Sequence, residues 1–404
     1  MIVERPLRIG FLTPEYPTES YTGGIGSYVR QMARSVADLG HSAFVFLSVP
    51  SGDGLTWDGP VPVYRVGLPA LASFLPQPLG KYSGVIFARR LARLTRELNL
   101  DLLEAPDFAG QTAFLNLVKP RGLHVVVRLH TCSSICRSLD GDRSVSTGNR
   151  LRDNLQDFLE RRAIQTANSV TAISRATADL TKKMLRIQRD DIHVTPNPVN
   201  DLFFSPEKTV DVPAEPIVLF AGRLQWLKGP DLLIRCLPQV LQENPTVRFC
   251  LAGPDTNTSP EGGSMRTYLT SLIPEPMRSR VEFTGFISPE QLLKRYQQAT
   301  VCVFPSRWEG FGLAAAEAMA SGKAVVVSDA PGFQQFISDR ISGLIVKGED
   351  PRAFGSAIGL LLRDCHFRQT LSAAGRNTVH TRFRGSIVGE SIVTFYRNRI
   401  AHNN

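Results

Sequence analysis

An alternation that runs through all 404 residues restricts this chain more than any other feature. Short apolar runs rich in β-branched residues recur: Leu7–Leu12, Ala43–Val49, Val125–Leu129 and Val170–Ile173 in the first half, then Ile217–Ala221, Val247–Ala252, Val301–Phe304 and Ala324–Ser328. Longer stretches with helical periodicity separate them, among them Ser27–Leu39, Ser83–Leu98, Asp231–Leu241 and Leu313–Ser321. A strand buried on both faces reads as an unbroken apolar run, and strands alternating with amphipathic helices build a parallel sheet covered on both sides.

The alternation stops once and starts again. Thr195-Pro196-Asn197-Pro198-Val199-Asn200 closes the first series, Ser205–Pro216 is a polar, proline-containing connector, and a fresh strand opens at Ile217. A chain of this length holds two domains of ordinary size. The sequence therefore predicts an α/β protein of two Rossmann-like, doubly wound parallel-sheet domains, the first over residues 1–198 and the second over 199–383. Such sheets take ligands outside the carboxyl ends of their strands, so two facing domains would leave a cleft.

Composition narrows the function classes. Hydrophobic residues at 43% and charged residues at 21% suit a globular protein with ample core and exclude a disordered chain or a fibre. Six cysteines are too few for a disulfide framework, and Cys236, Cys250 and Cys302 sit inside apolar runs as buried thiols would. Cys132 and Cys136 lie close to His130, but no second ligand pair with zinc-like spacing follows, so no metal site is assigned. The first residues lack the basic start and apolar stretch of a signal peptide, and no apolar run approaches the roughly 18–20 residues of a membrane span. The expected location is cytoplasmic.

The net charge of +9 permits an anionic partner without choosing one. Arg89, Arg90, Arg93 and Arg96 share a helix with Val85, Ile86, Leu91, Leu94 and Leu98. Such a helix can lie on anionic lipid at the inner face of a membrane, although a solvated face is its ordinary role. No concentrated basic stripe or recognition helix points to nucleic acid.

Three stretches could carry chemistry. Gly23-Gly24-Ile25-Gly26 stands between a strand and a helix, where a backbone can approach a phosphate closely. A plain βα turn is the alternative, and Val29 in place of a third glycine weakens a dinucleotide-binding reading. Gly222-Arg223-Leu224-Gln225-Trp226-Leu227-Lys228-Gly229 follows a strand and places two cations where one diphosphate could meet both. The third runs from Val303 to Met319. There Glu309 sits in a glycine-bearing turn, the amides of Phe311, Gly312 and Leu313 open a helix, and Glu317 lies about one turn (~3.6 residues) in.

At this point the chain resembles the retaining nucleotide-sugar glycosyltransferases of family 4, with the GT-B fold of two Rossmann domains. The pieces that match are Gly23-Gly24-Ile25-Gly26, His130, Pro196-Asn197, Gly222-Arg223-Leu224 with Lys228-Gly229, Leu251-Ala252-Gly253-Pro254, Phe283-Thr284-Gly285-Phe286, and the Glu309 to Glu317 string. The resemblance implies a metal-independent transfer of a hexose from a nucleoside diphosphate sugar, UDP-glucose favoured, to a hydroxyl acceptor. The acceptor would be a glycan or a lipid-linked sugar, and no cofactor is required. Arg223 and Lys228 would hold the donor diphosphate, with the backbone of Gly24 against the same phosphate. Glu309 would hold sugar hydroxyls, Phe311, Gly312 and Leu313 would offer amides, and Glu317 would grip the ribose. Gly253, Gly285 and Phe286 would line the nucleobase pocket, and His130 would contact the transferred sugar. The last helix, within residues 384–404, would pack back on the first domain.

Asp140-Gly141-Asp142 looks like the metal motif of the other glycosyltransferase fold, but Ser133–Leu139 before it reads as a polar loop rather than an apolar strand. Two departures from the family pattern stand out. Pro331-Gly332-Phe333-Gln334-Gln335 replaces Gly-Gly-x-x-Glu, and Pro196-Asn197-Pro198-Val199-Asn200 replaces Pro-Asn-Gly-Val-Asp. Acceptor-lining stretches are expected at Tyr16–Tyr21, Leu68–Tyr82 and Cys132–Asn149. A nucleotide-sugar epimerase of the same fold would convert the sugar without an acceptor, and a non-catalytic sugar-nucleotide-binding protein would bind without turnover.

Overall fold

Alternate side chains of the first strands go to opposite faces of one sheet, which fixes where the first core lies. In the computed structural model, which describes residues 5–19, 23–67, 84–140, 150–205 and 214–401, Ile9 and Phe11 of β1 (Arg8–Thr13) join Val45 and Leu47 of β2 (Ser42–Val49) in one buried cluster. Leu12, Phe44 and Phe46 join a second cluster on the other face. The chain divides into two units: Met1–Ser138 with Val145–Pro198 and Gly385–Asn404, and Leu139–Ser144 with Val199–Arg384.

The sheet of unit 1 also contains β3 (Gly54–Asp58), β4 (Val61–Gly67), β5 (Leu102–Pro106), β6 (His124–Leu129), β7 (Ser169–Ala172) and β8 (Ile192–Val194), in the order β3-β4-β2-β1-β5-β6-β7-β8. Among the described residues of this sheet only the edge pair β3–β4 is antiparallel. On one face lies α1 (Gly24–Asp38), which buries Tyr28, Val29, Met32 and Val36. On the other lies α2 (Val85–Glu97), which buries Phe87 and Leu91 and leaves Arg89, Arg93 and Arg96 exposed. The remaining helices of the first series are α3 (Ser133–Asp140), α4 (Arg150–Thr166) and α5 (Arg175–Leu185).

Unit 2 carries the all-parallel order β11-β10-β9-β12-β13-β14, with β9 (Ile217–Ala221), β10 (Arg248–Ala252), β11 (Val281–Gly285), β12 (Val301–Phe304), β13 (Val325–Ser328) and β14 (Leu344–Val346). Its helices are α6 (Pro230–Glu243), α7 (Met265–Ser271), α8 (Pro289–Gln298), α9 (Leu313–Ala320), α10 (Pro351–Arg363) and α11 (Cys365–Arg382). The last helix, α12 (Gly385–Ala401), returns to unit 1, where Val388, Ile392, Phe395 and Tyr396 enter the α1 cluster.

Several details differ from the sequence reading. Residues 133–139 are not a loop but most of α3: Cys132 O accepts the Ile135 and Cys136 amides, and Cys132 and Ile135 are buried, so the serine-rich start conceals a helix with one apolar face. The glycine loop is shorter than expected, because Gly24 is already the first residue of α1. Tyr16 is core rather than acceptor lining; its ring is fully buried and its hydroxyl donates to Asp58 Oδ2 at 3.0 Å. Leu68–Tyr82, Tyr21, and Gly141 and Asp142 of the Asp-x-Asp sequence lie outside the described residues. Among the described residues, no helix is long and apolar enough to cross a membrane.

Candidate active site

In unit 2 the chemistry-bearing residues follow the carboxyl ends of adjacent strands. Gly222 after β9 donates its amide to Ala252 O (2.9 Å), and Gly253 after β10 donates to Gly285 O (3.0 Å). Gly253 has φ +152°, and a Cβ there would lie 1.9 Å from Gly222 O, so only glycine lets these two strand ends meet. Leu224 N–H continues the seam to Pro254 O at 2.8 Å. Arg223 is thereby held at the strand end with its side chain exposed, and among the described residues it has no hydrogen-bond or ion-pair partner. Phe286, next to Gly285, presents a largely exposed ring.

Lys228 ends a short 3₁₀ turn, Trp226–Lys228, and an arginine that sequence reasoning passed over pins that turn. The Arg307 guanidinium bonds both carboxylate oxygens of Asp231 (2.8 and 2.9 Å) and the carbonyl of Trp226 (2.8 Å), and it stacks 3.5 Å from the Trp226 ring centre. Its backbone amide donates to Leu227 O at 2.8 Å. The Lys228 ammonium in turn donates to Glu309 Oε2 at 2.7 Å, the two side chains being 28% and 16% exposed. The cation expected at the phosphate and the carboxylate expected at the sugar are therefore neighbours, still open to solvent.

The turn that carries Glu309 is fixed from behind. Gly332 N–H donates to Glu309 O at 3.0 Å, and the Gln335 amide donates to Gly332 O at 3.2 Å. A glutamate at 335 could not donate, which gives the glutamine a local reason to stand there. Phe311 contributes only its backbone to this turn, because its ring is buried against Phe336 and Phe383 at 5.5 and 5.2 Å between centres. Gly312 caps α9, Leu313 opens it half-buried, and Glu317 lies one turn on. Tyr296 donates its hydroxyl to Ala314 O (3.0 Å) and to Glu317 Oε2 (3.4 Å). Burial pushes the Glu317 carboxyl up to about 8.

Unit 1 places His130 directly after β6. Burial, then the Arg128 guanidinium, push its imidazole well below the ordinary value, so the ring is neutral at pH 7. It meets the edge of Tyr28 at 5.1 Å, and Arg128 stacks on the same ring at 4.1 Å. Tyr28 donates its hydroxyl to Glu104 Oε1 at 2.7 Å, and Tyr396 of α12 donates to the other oxygen. The backbone amide of His130 donates to Asp107 Oδ1 at 3.0 Å. Asp107 is fully buried; burial pushes its carboxyl up to about 7, and its Oδ2 has no partner among the described residues. Sequence reasoning missed Asp107, although its place just after a strand end was a usable signal.

The helix start expected to meet phosphate is already taken by a carboxylate. Glu15 Oε1 accepts the amides of Gly23 (2.9 Å) and Gly26 (3.0 Å), a favourable place for negative charge. A Cβ on Gly23 would sit 3.2 Å from that oxygen, a tight contact, whereas one on Gly24 would meet nothing within 4 Å. Among the described residues, no three His, Cys, Asp or Glu side chains converge as metal ligands. Cys132 Sγ lies 3.1 Å from Ser134 Oγ.

Two family models match the chain in succession: Glycosyl transferase 4-like domain over residues 23–198 and Glycosyl transferases group 1 over residues 204–378. The chain belongs to the family 4, group 1 glycosyltransferases. This glycosyltransferase is 27% identical to D-inositol 3-phosphate glycosyltransferase of Acidothermus cellulolyticus, over 96% of its own length and 88% of the relative's. It is 24% identical to an uncharacterized glycosyltransferase of Methanocaldococcus jannaschii, over 97% and 98%. Its fold is GT-B. Sucrose-phosphate synthase of Thermosynechococcus elongatus superposes with a TM-score of 0.78 at 22% identity, covering 98% of this chain and all (100%) of that one. HepE of Anabaena in complex with UDP-glucose superposes with a TM-score of 0.71 at 17% identity, covering 97% and 100%.

Proposed function

We propose that this glycosyltransferase moves a hexose from a nucleoside diphosphate sugar to a hydroxyl acceptor with retention at the anomeric carbon, and that UDP-glucose is the first donor to test. The observation that carries this reading is the 2.7 Å contact between Lys228 Nζ and Glu309 Oε2, with Arg223, exposed and without a partner among the described residues, held on the same strand-end edge. Cleaving the sugar–phosphate bond leaves negative charge on the diphosphate and positive character on the sugar ring. Lys228 and Arg223 would meet the first, and Glu309 would hold the hydroxyls beside the second. Fixed cations supply this stabilisation directly, so the reading needs no metal or cofactor. Glu317, carrying a proton at neutral pH, would exchange its bond with Tyr296 for ribose hydroxyls. Gly253, Gly285 and Phe286 would border the base, the amides of Phe311, Gly312 and Leu313 and the backbone of Gly24 would approach donor oxygens, and neutral His130 would hydrogen-bond the sugar.

The HepE complex supports a uridine diphosphate donor by likeness of fold. A glycan or lipid-linked acceptor, in polysaccharide or glycolipid synthesis, is the acceptor class proposed, and peripheral contact of the exposed α2 arginines with anionic lipid is compatible with it. Transfer and donor hydrolysis should both fall by about 100-fold or more in Lys228→Ala and in Arg223→Ala, the usual cost of losing one group that stabilises developing charge. Unchanged rates in both variants would sink the reading. A thermal-shift screen of nucleoside diphosphate sugars should single out the donor, because a ligand that binds only the folded state stabilises it by mass action.

A further inference from the structure

Glu160 lies on α4 and has no place in the reaction proposed above, yet it is fully buried and heavily bonded. Oε1 accepts the Ala109 amide (3.0 Å), the Ser133 hydroxyl (2.6 Å) and the Gln156 side-chain amide (3.3 Å), and Oε2 accepts the Ser133 amide (3.0 Å). A buried carboxylate without a cation is costly, and packing alone would be served better by an apolar side chain. Its partners show what it holds. Ala109 and Asp107 lie in the turn after β5, and Ser133 opens α3 just beyond β6 and His130. The turn after β5 is an unfavourable one: Ala109 has φ +64°, a left-handed conformation in which the Cβ of a non-glycine residue is crowded by the backbone. Gly110 beside it is pressed on α4, where a Cβ would lie 2.4 Å from the Leu159 carbonyl carbon. A strained backbone persists only where its surroundings overdetermine it, and Glu160 supplies the bond that does so.

We infer that Glu160 is a positioning residue for His130. Its carboxylate ties the turn after β5 to the start of α3, and the held turn presents Asp107 Oδ1 to the His130 backbone amide, which fixes the imidazole between Tyr28 and the end of β6. The inference rests on the reading of His130 as a group that meets the transferred sugar. Gln at 160 cannot replace the carboxylate, because its single oxygen serves either Ala109 or Ser133 and leaves an N–H facing the other's N–H.

The test uses the full-length protein and compares Glu160→Gln, His130→Ala and the double variant, with kcat, donor KM and amide hydrogen exchange at His130. Glu160→Gln should lower kcat by about 10- to 50-fold, since sub-ångström misplacement of a contacting group costs this much, while donor KM stays within about twofold because the proposed diphosphate, base and ribose contacts other than Gly24 belong to unit 2. The His130 amide should exchange at least about tenfold faster once Asp107 is no longer held. In the His130→Ala background Glu160→Gln should cost less than about twofold more, the non-additivity of residues that act as one. Losses that multiply, or an unchanged His130 amide, would overturn the inference. If His130→Ala keeps full kcat, the reading of His130 falls and the positioning role with it; if His130→Ala is impaired and Glu160→Gln is not, only the role of Glu160 falls. Should Glu160→Gln fail to fold, Ser133→Ala removes the 2.6 Å bond to Glu160 together with the bond that the Gln156 amide donates to the same hydroxyl, leaves both backbone amides on the carboxylate, and should show the same pattern at smaller size.

Discussion

The two units hold their charges in opposite ways. In unit 2 the groups assigned to the diphosphate and the sugar stay within reach of solvent: Arg223 is exposed without a partner among the described residues, and the Lys228–Glu309 pair is partly open. In unit 1 the comparable groups are sealed. His130 is neutral, Asp107 and Glu160 are fully buried, and every recorded bond of Glu160 goes to a backbone amide or an uncharged side chain. An open cation can change partners when an anion arrives. A sealed carboxylate cannot, and serves by keeping the backbone in one shape. On the proposed reading, the difference separates open groups that would meet the donor from buried carboxylates that hold the backbone around His130.

One pair in unit 2 crosses this division and gives the largest expected effect. Arg307 and Asp231 are buried like the groups of unit 1, with side-chain exposures of 10% and 2%. Arg307→Ala would strip the buried Asp231 carboxylate of both its short bonds and leave it only Arg235 at 3.9 Å, at a cost of about 3 kcal/mol. Urea unfolding should show that loss, and surviving protein should have a raised donor KM because the Lys228 turn loses its clamp. A loss below about 1 kcal/mol would mean that Asp231 finds water or another partner, and the clamp would be incidental.

The fold was readable because its evidence is periodic. Runs such as Val125–Leu129 and Ile217–Ala221 lie inside strands that the structure bears out, and the restart at Ile217 coincides with the first strand of unit 2. What periodicity missed was short or half-exposed: α3 hidden behind Ser133 and Ser134, and β3, whose Leu55 and Trp57 face outwards on the sheet edge. The candidate site divides in the same way. Arg223, Lys228, Glu309 and Glu317 stand in continuous strings whose residue types announce charge chemistry. Glu160 reaches Ala109 across 51 residues from the middle of a helix, and nothing in a one-dimensional pattern couples those two positions. Arg307 lay inside the strongest string but was masked by its neighbours, since its meaning depends on Asp231 in a different segment.

Glu317 tests whether a unit 2 carboxyl behaves like the sealed ones of unit 1. Its ordinary value of 4.5 rises to about 8 on burial, so the folded protein keeps a proton there that the unfolded chain has lost. Between those two values the folded state binds more protons, and stability falls as pH rises through the window. Glu317→Gln carries no ionisable group, so from pH 5 to pH 8 the Tm of the wild type should fall by roughly 5 °C more than that of the variant. Some slope should survive in the variant, because Asp107 shifts in the same direction from 3.8 to about 7, and that remainder should end near pH 7. An identical slope in both proteins would show that Glu317 is hydrated and ionised, unlike the sealed carboxyls of unit 1.

Gly24 gives the smallest effect on folding and the sharpest separation of holding from binding. A methyl group there meets nothing within 4 Å, and alanine favours a helical position over glycine, so Gly24→Ala should leave stability unchanged or raise it by less than about 1 kcal/mol. If the backbone of Gly24 approaches a donor phosphate, the same methyl group intrudes between them, and kcat/KM should fall by about tenfold or more. Equal stability with lost turnover would mark Gly24 as a ligand-facing residue inside the unit whose other groups are sealed. Equal stability with full turnover would leave the start of α1 to Glu15, whose oxygen already accepts the amides of Gly23 and Gly26, and the donor phosphate would then rest on Arg223 and Lys228 without it.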